Sequence, residues 1–120
     1  MAYRDFTQTS VWQKALNLLI VVYAIAKKFP KEELYVLSSD MKRAANSVAH
    51  NFAEGFGRFE SRDKTRFYKI ARGSAYELIS QTIVALRLAY LNEEEKDSLF
   101  FGYTQVIYEL DTLIKSIERR

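Results

Sequence analysis

Residues 37–57 read LSSDMKRAANSVAHNFAEGFG, and their apolar side chains recur at steps of three and four residues. This spacing places the apolar side chains on one face of an α-helix, which we predict to span residues 37–56. We expect Gly55 and Gly57 to end this helix, because glycine readily adopts the left-handed conformation of a helix cap. The predicted inward face consists of Leu37, Met41, Ala44, Ala45, Val48, Phe52 and Phe56.

Three further helices are predicted around this one. Ser10 and Ser61 can each cap a helix start, and Pro30 cannot continue the first helix. Asn92 with Glu95 has the spacing of a capping box. Short connections imply antiparallel neighbours, so we expect the whole chain to form one all-α domain, an antiparallel up-down four-helix bundle. The four helices are expected at about 10–28, 37–56, 61–90 and 93–118.

Helix one carries more apolar surface than one bundle core can cover. Residues 18–26 read LLIVVYAIA, which is apolar all round the helix. Its other face therefore needs a second cover, and another subunit is the simplest candidate. The inward face is assigned to Trp12, Leu16, Leu19, Tyr23 and Ala26, and the inward face of helix three to Phe67, Ile70, Ala71, Leu78, Ala85 and Ala89. The predicted oligomer interface contains Leu18, Ile20, Val21 and Ile25.

The composition restricts the chemistry. The chain has no cysteine, which excludes a disulfide and a zinc–thiolate site, and its one histidine excludes a multi-histidine metal centre within one chain. We therefore expect no metal, no cofactor and no enzymatic activity. His50 is expected to be solvated or at a subunit contact. The polar start and the absence of a 20-residue apolar run predict a cytoplasmic protein that does not cross a membrane.

Positive charge is concentrated in the first part of the chain. Residues 1–72 carry 13 Lys and Arg against 7 Asp and Glu, although the whole chain is only +3. Cations attract phosphate and an exposed tyrosine can stack on an unpaired base, so we predict a nucleic-acid-binding face on helix three with weak sequence preference. A solvated basic face is the alternative. The residues concerned are Arg58, Arg62, Lys64, Arg66, Lys69, Arg72 and Tyr76.

Polar side chains line the margin of the expected core on helices two and three. Because a buried polar group must be paired, we predict a structural network in which Arg43 offsets Glu54 or Glu77. The alternative is a carboxylate site built on Glu54 and Glu77 for acid–base chemistry or magnesium. The predicted network comprises Arg43, Ser47, Asn51, Glu54, Ser74, Glu77 and Gln81.

Several short motifs follow one another in a characteristic order: VWQKA at 11–15, FPKEE at 29–33, RAANS at 43–47, NFAEG at 51–55 and ARGS at 71–74. Together they resemble the bacterial four-helix-bundle family of proteins encoded in 23S rRNA intervening sequences. The resemblance implies small antiparallel bundles that assemble as homopentameric rings. It also points to a relative, the accessory variability protein of diversity-generating retroelements, which binds nucleic acid and its reverse transcriptase. The resemblance maps the family's polar signature onto Arg43, Ser47, Asn51, Glu54, Gly55, Ser74 and Glu77.

Three functions are compatible with these patterns. The first is a non-catalytic oligomeric scaffold or nucleic-acid-binding protein that contacts RNA or DNA phosphates through helix three. The alternative is a pure protein-interaction module that partners a nucleic-acid enzyme such as a reverse transcriptase. The third is an enzyme that uses Glu54 and Glu77.

Overall fold

Four long helices account for most of the chain in the computed structural model, which describes residues 5–119 and measures 47 × 23 × 20 Å. The prediction of a single domain covers the whole chain, of which residues 1–4 and 120 lie outside the described part. Helices two and four have the predicted bounds, whereas helices one and three end earlier than predicted. The helices are α1 Ser10–Ala26, α2 Leu37–Phe56, α3 Ser61–Arg87 and α4 Glu93–Glu118, with short 3-10 turns at Phe6–Gln8 and Lys31–Glu33.

Each helix packs against its neighbours in sequence, and α1 also packs against α4, which closes the bundle. Large side chains from α2, α3 and α4 fill the interior, including Phe52, Leu78 and Tyr103, each of which is fully buried. No strand occurs among residues 5–119. The predicted all-α four-helix bundle is therefore confirmed.

The rotation of α1 about its axis differs from the prediction. Trp12, Leu16 and Leu19 are only half-buried and Tyr23 is exposed. Since residues 18–26 are apolar all round, the spacing alone did not determine which face turns inward. The buried face of α1 consists of Val11, Ala15, Leu18, Val22, Ile25 and Ala26.

Two of the four residues predicted for an oligomer interface therefore belong to the chain's own core. Leu18 packs against Gly102 of α4, where a Cβ atom would collide with the leucine side chain. Ile25 is 5% exposed. Val21 is half-buried, and Ile20 is the most open of the four at 56%.

The buried face of helix three also differs from the prediction, since three of the residues assigned to it are not buried. Phe67 is half-buried, and Ile70 and Ala89 are exposed. Ala89 has a left-handed φ of 64° directly after the helix. Its neighbour Tyr90 donates a main-chain hydrogen bond of 2.9 Å to the carbonyl of Ala85, as in a Schellman motif. The buried face of α3 consists of Thr65, Tyr68, Ala71, Ala75, Leu78, Thr82 and Ala85.

The helices start where predicted, but only one of the three predicted caps has its expected role. Asn92 and Glu95 form the expected capping box at α4. At α1 the capping side chain is Thr9 rather than Ser10, and its hydroxyl accepts a hydrogen bond of 3.3 Å from the Trp12 main chain. At α3 no side chain of the described residues caps the helix, so Ser61 does not have the predicted role.

The glycine inside α2, Gly55, matters for the space that it leaves rather than for its backbone conformation. No glycine among residues 5–119 has a positive φ, so neither Gly55 nor Gly57 is a left-handed cap. Gly55 is buried inside the last turn of α2, where a Cβ atom would lie 2.7 Å from the Tyr68 ring. The glycine therefore permits close packing of α2 against α3.

Candidate nucleic-acid interface

The cations between Arg58 and Arg72 differ in whether they already contact a carbonyl or carboxylate of the chain. Lys64 is engaged with α2, since its ammonium group donates hydrogen bonds of 2.8 Å to the carbonyl of Phe56 and 3.3 Å to that of Gly55. Burial lowers the pKa of Lys64 from its ordinary value. Lys64 thus satisfies carbonyls at the end of α2, where helix carbonyls lack partners of their own.

Lys69 and Arg72 each contact a carboxylate of α4, although Lys69 stays exposed as predicted. The Lys69 ammonium group lies 2.6 Å from the carboxylate of Glu118, and the Arg72 guanidinium pairs with Asp111. Arg72 also lies 5.0 Å from the centroid of the Tyr76 ring, which it partly covers. These two cations already have counter-charges, so the middle of α3 is a weaker phosphate site than its sequence indicates.

Three arginines remain near the turn between α2 and α3. The guanidinium groups of Arg58 and Arg66 lie 4.8 and 4.4 Å from the ring centroid of Phe67. The half-buried Phe67 ring therefore brings one cation from the turn and one from α3 to the same place. Arg58 also pairs with Glu54 at 2.7 Å, whereas Arg62 and Arg66 form no ion pair within residues 5–119.

An open cleft of about 730 Å³ lies at the α2–α3 turn, and Arg58 is the one of these three arginines that lines it. Phe59 lies on its rim with 98% of its surface exposed. His50 is exposed and also borders the cleft, as expected for a solvated histidine. The full lining consists of His50, Ala53, Glu54, Gly57, Arg58, Phe59, Glu60 and Asp63.

Three of the seven predicted network residues do meet between α2 and α3. The hydroxyl oxygens of Ser47 and Ser74 lie 2.7 Å apart. The side-chain amide of Asn51 donates hydrogen bonds of 2.9 Å to both the hydroxyl and the carbonyl of Ser47. This part of the network pairs half-buried polar groups, as predicted.

The other four members lie outside that network. Arg43 is 71% exposed and pairs with Asp40 at 3.0 Å, so it offsets neither predicted carboxylate. Glu77 accepts a hydrogen bond of 3.1 Å from the side-chain amide of Gln81, and Glu54 pairs with Arg58. These charged side chains lie on the solvent side of the polar stripes, where each finds a partner on its own helix or its flanking turn.

The described residues contain no group of three His, Cys, Asp or Glu side chains that could hold a metal ion. Glu54 and Glu77, proposed above as an alternative catalytic pair, are both exposed and each contacts a different partner. Between residues 5 and 119, no helix is both long enough and apolar enough to cross a bilayer.

Two exposed apolar features in the connections between helices were absent from the sequence prediction. One is Phe59, and the other is the segment Leu34, Tyr35 and Val36, exposed to 49%, 88% and 57%. Both lie in connections between helices, where no helical periodicity assigns a side chain to the core. For Phe59 the sequence contained one signal, an aromatic residue between the charged residues Arg58 and Glu60 in a predicted turn.

Comparison with known proteins identifies a matching family and a solved structure with the same fold. The model of the 23S rRNA-intervening sequence protein family matches residues 7–112. A crystal structure from Bacteroides thetaiotaomicron, of a protein with unknown function from the S23 ribosomal protein family, superposes with a TM-score of 0.81. The two chains are 22% identical, and the match covers 88% of this chain and 98% of that one, which shows a shared fold. No curated protein matches.

Proposed function

The chain belongs to the 23S rRNA-intervening sequence protein family, and we propose that it is a non-catalytic, oligomeric, cytoplasmic protein that binds RNA or DNA through phosphate contacts. The observation that carries this proposal is the pair Arg62 and Arg66, one helical turn apart, which has no carboxylate partner among the described residues. Phosphate oxygens are the ligands that a guanidinium group recognises with two parallel hydrogen bonds.

The contact is confined to the α2–α3 end of the bundle. Lys69 and Arg72 are neutralised by acids of α4, and Lys64 is bonded to carbonyls of α2. Of the cations between residues 58 and 72, Arg62 and Arg66 are then the two without an ion pair among the described residues and are available to a polyanion, whereas Arg58 is paired with Glu54. Contacts to phosphate carry no base information, so sequence preference is weak.

Oligomerisation brings several copies of this arginine patch into one assembly. Ile20, Tyr23 and Ala24 form an exposed apolar strip on α1, and covering it with a second copy removes apolar area from water. A homopentamer is the assembly that the resemblance implies. Linked copies of a weak site bind one long strand more tightly than a single copy does.

Anisotropy titrations of a labelled 20-nucleotide RNA, at about 50 and 200 mM salt, test the proposal. For this single strand the slope of log affinity against log salt should fall by roughly 0.7 for each phosphate contact that R62E/R66E removes. Lys69→Ala is the matched control, because Lys69 is already paired with Glu118, and its slope should equal that of wild type. Failure of the wild type to bind at the lower salt would reject the proposal.

A second candidate function is favoured by the exposed segment Leu34, Tyr35 and Val36. An apolar loop with an almost fully exposed tyrosine suits contact with another protein, such as a reverse transcriptase. In that case the isolated chain would bind no nucleic acid. It would bind a purified reverse transcriptase, and Tyr35→Ser would weaken the complex.

A further inference from the structure

We propose that Phe59 stacks on an unpaired nucleobase, so that the ligand of the α2–α3 turn is single-stranded nucleic acid. The inference rests on the proposed function and narrows its ligand class. Phe59 is 98% exposed, the highest exposed fraction among the large apolar residues that the structure describes. A phenylalanine left in water lacks the stabilisation that burial would give it, and a stacked base would recover part of that stabilisation.

The turn holds this ring away from both helices. α2 ends at Phe56 and α3 begins at Ser61, and Phe59 lies in the short connection between them. The neighbouring aromatic ring, Phe67, is occupied by the guanidinium groups of Arg58 and Arg66. Phe59 is thus an aromatic surface at the α2–α3 turn that is open to a flat ligand.

The charged residues around Phe59 offer different contacts to a base and to its phosphates. Arg58 and Arg62 flank Phe59 in sequence, and Arg62, which has no ion pair among the described residues, can neutralise a phosphate beside a stacked nucleotide, whereas Arg58 is paired with Glu54. Three carboxylates, those of Glu54, Glu60 and Asp63, line the adjoining cleft. Carboxylates repel phosphate but accept hydrogen bonds from the amino groups of bases. The cleft therefore suits a base edge, and Arg62 suits the backbone.

A duplex cannot use such a site without being opened. Inside a duplex both faces of a base are stacked, so Phe59 can reach only a base at an end, in a loop or in a single strand. Stacking of one base on an aromatic side chain is worth a factor of roughly five to 150 in affinity, from alanine substitutions in other single-strand binders.

The test compares Phe59→Ala and Phe59→Trp with the matched control Phe101→Ala, which removes a phenylalanine 65% exposed on α4. Each variant is titrated with an RNA single strand and with a duplex of the same sequence. We expect Phe59→Ala to lose roughly five- to 150-fold in affinity for the single strand and to keep the wild-type affinity for the duplex. Phe59→Trp should retain binding, and its emission should be quenched by the single strand but not by an abasic strand at saturation. The control should behave as wild type.

Two outcomes would overturn this inference and leave the proposed function standing. In one, Phe59→Ala binds the single strand as tightly as wild type while R62E/R66E does not. In the other, Phe59→Ala changes the mass of the assembly by light scattering, which identifies Phe59 as a subunit contact. If the wild type binds neither single strand nor duplex, both proposals fail together.

Discussion

The hydroxyl oxygens of Ser47 and Ser74 lie 2.7 Å apart and join α2 to α3 at the middle of their shared face. Asn51 donates a further hydrogen bond to the Ser47 hydroxyl. Each hydroxyl is half-buried, so the pair replaces contacts with water by contacts between helices. The polar signature implied by the family resemblance is, at these positions, part of the packing of the bundle.

Replacing Ser74 by valine should lower the free energy of unfolding by about 1 kcal/mol, because the Ser47 hydroxyl loses its partner across the interface. Glu54→Ala is the control: its carboxylate is exposed and paired only with Arg58, so the change should be below about 0.5 kcal/mol. Urea unfolding followed by circular dichroism measures both. A larger loss for Glu54→Ala than for Ser74→Val would contradict the assignment.

Two glycine-to-alanine substitutions should have opposite effects. At Gly55 the new Cβ atom would lie 2.7 Å from the Tyr68 ring and 3.1 Å from the Lys64 carbonyl oxygen, which predicts a loss of about 1–3 kcal/mol. At Gly73, within α3, no atom of the described residues lies within 4 Å of the new Cβ atom. There the higher helix propensity of alanine should stabilise the protein by about 0.5–1 kcal/mol. Effects of the same sign, measured by thermal or urea unfolding, would refute the packing described for α2 and α3.

Ala89→Gly should stabilise the protein. The residue has a φ of 64°, a conformation that strains an L-amino acid with a Cβ atom and not glycine. The Tyr90 hydrogen bond to Ala85 keeps the residue in place after α3. We expect a gain of about 0.5–1 kcal/mol in unfolding free energy. Ala53→Gly, within α2, should instead destabilise by a similar amount.

Acid should weaken the start of α4 through Glu95. Hydrogen bonds from the Lys28 ammonium group and from the Asn92 main chain hold the pKa of Glu95 below its ordinary value of 4.5. Since the folded-state pKa is the lower one, this stabilisation is fully present above the unfolded value and is lost as the pH falls through the folded one.

Glu95→Gln removes this proton linkage, so acidification from about pH 7 to pH 3 should lower its urea midpoint less than that of wild type. Glu94→Gln, an exposed neighbour, is the control and should follow wild type. Identical pH profiles for wild type and Glu95→Gln would show that the carboxylate makes no such contribution.

Substitutions on the two faces of α1 should separate assembly from folding. Ile20→Asp places a charge on the exposed strip and should reduce the mass measured by light scattering, with helical circular dichroism unchanged. Leu18→Ala removes a core side chain packed on Gly102 and should cost about 2–5 kcal/mol of stability. A wild-type protein that is monodisperse and monomeric at micromolar concentration would refute the prediction of an oligomer.

The bounds of two helices could be predicted from the residues alone. α2 begins and ends where expected because it separates an apolar from a polar face, and the Asn92–Glu95 box marks the start of α4. For α1 the same reasoning located the helix but not its rotation. An apolar side chain at every position from 18 to 26 supports several inward faces equally well, and contact with Gly102 selected the one that buries Leu18.

The sequence by itself determined the fold class, the main helical segments and the presence of a basic stretch, since these depend on periodicity, caps and composition over short distances. Only the tertiary structure decided which cations are available. Lys69 and Arg72 are paired with Glu118 and Asp111, 49 and 39 residues further along the chain. Such partners meet only after α3 and α4 have packed in one rotation, so no local pattern reveals them. The same packing left Phe59 in the open turn, next to the arginines that remain available.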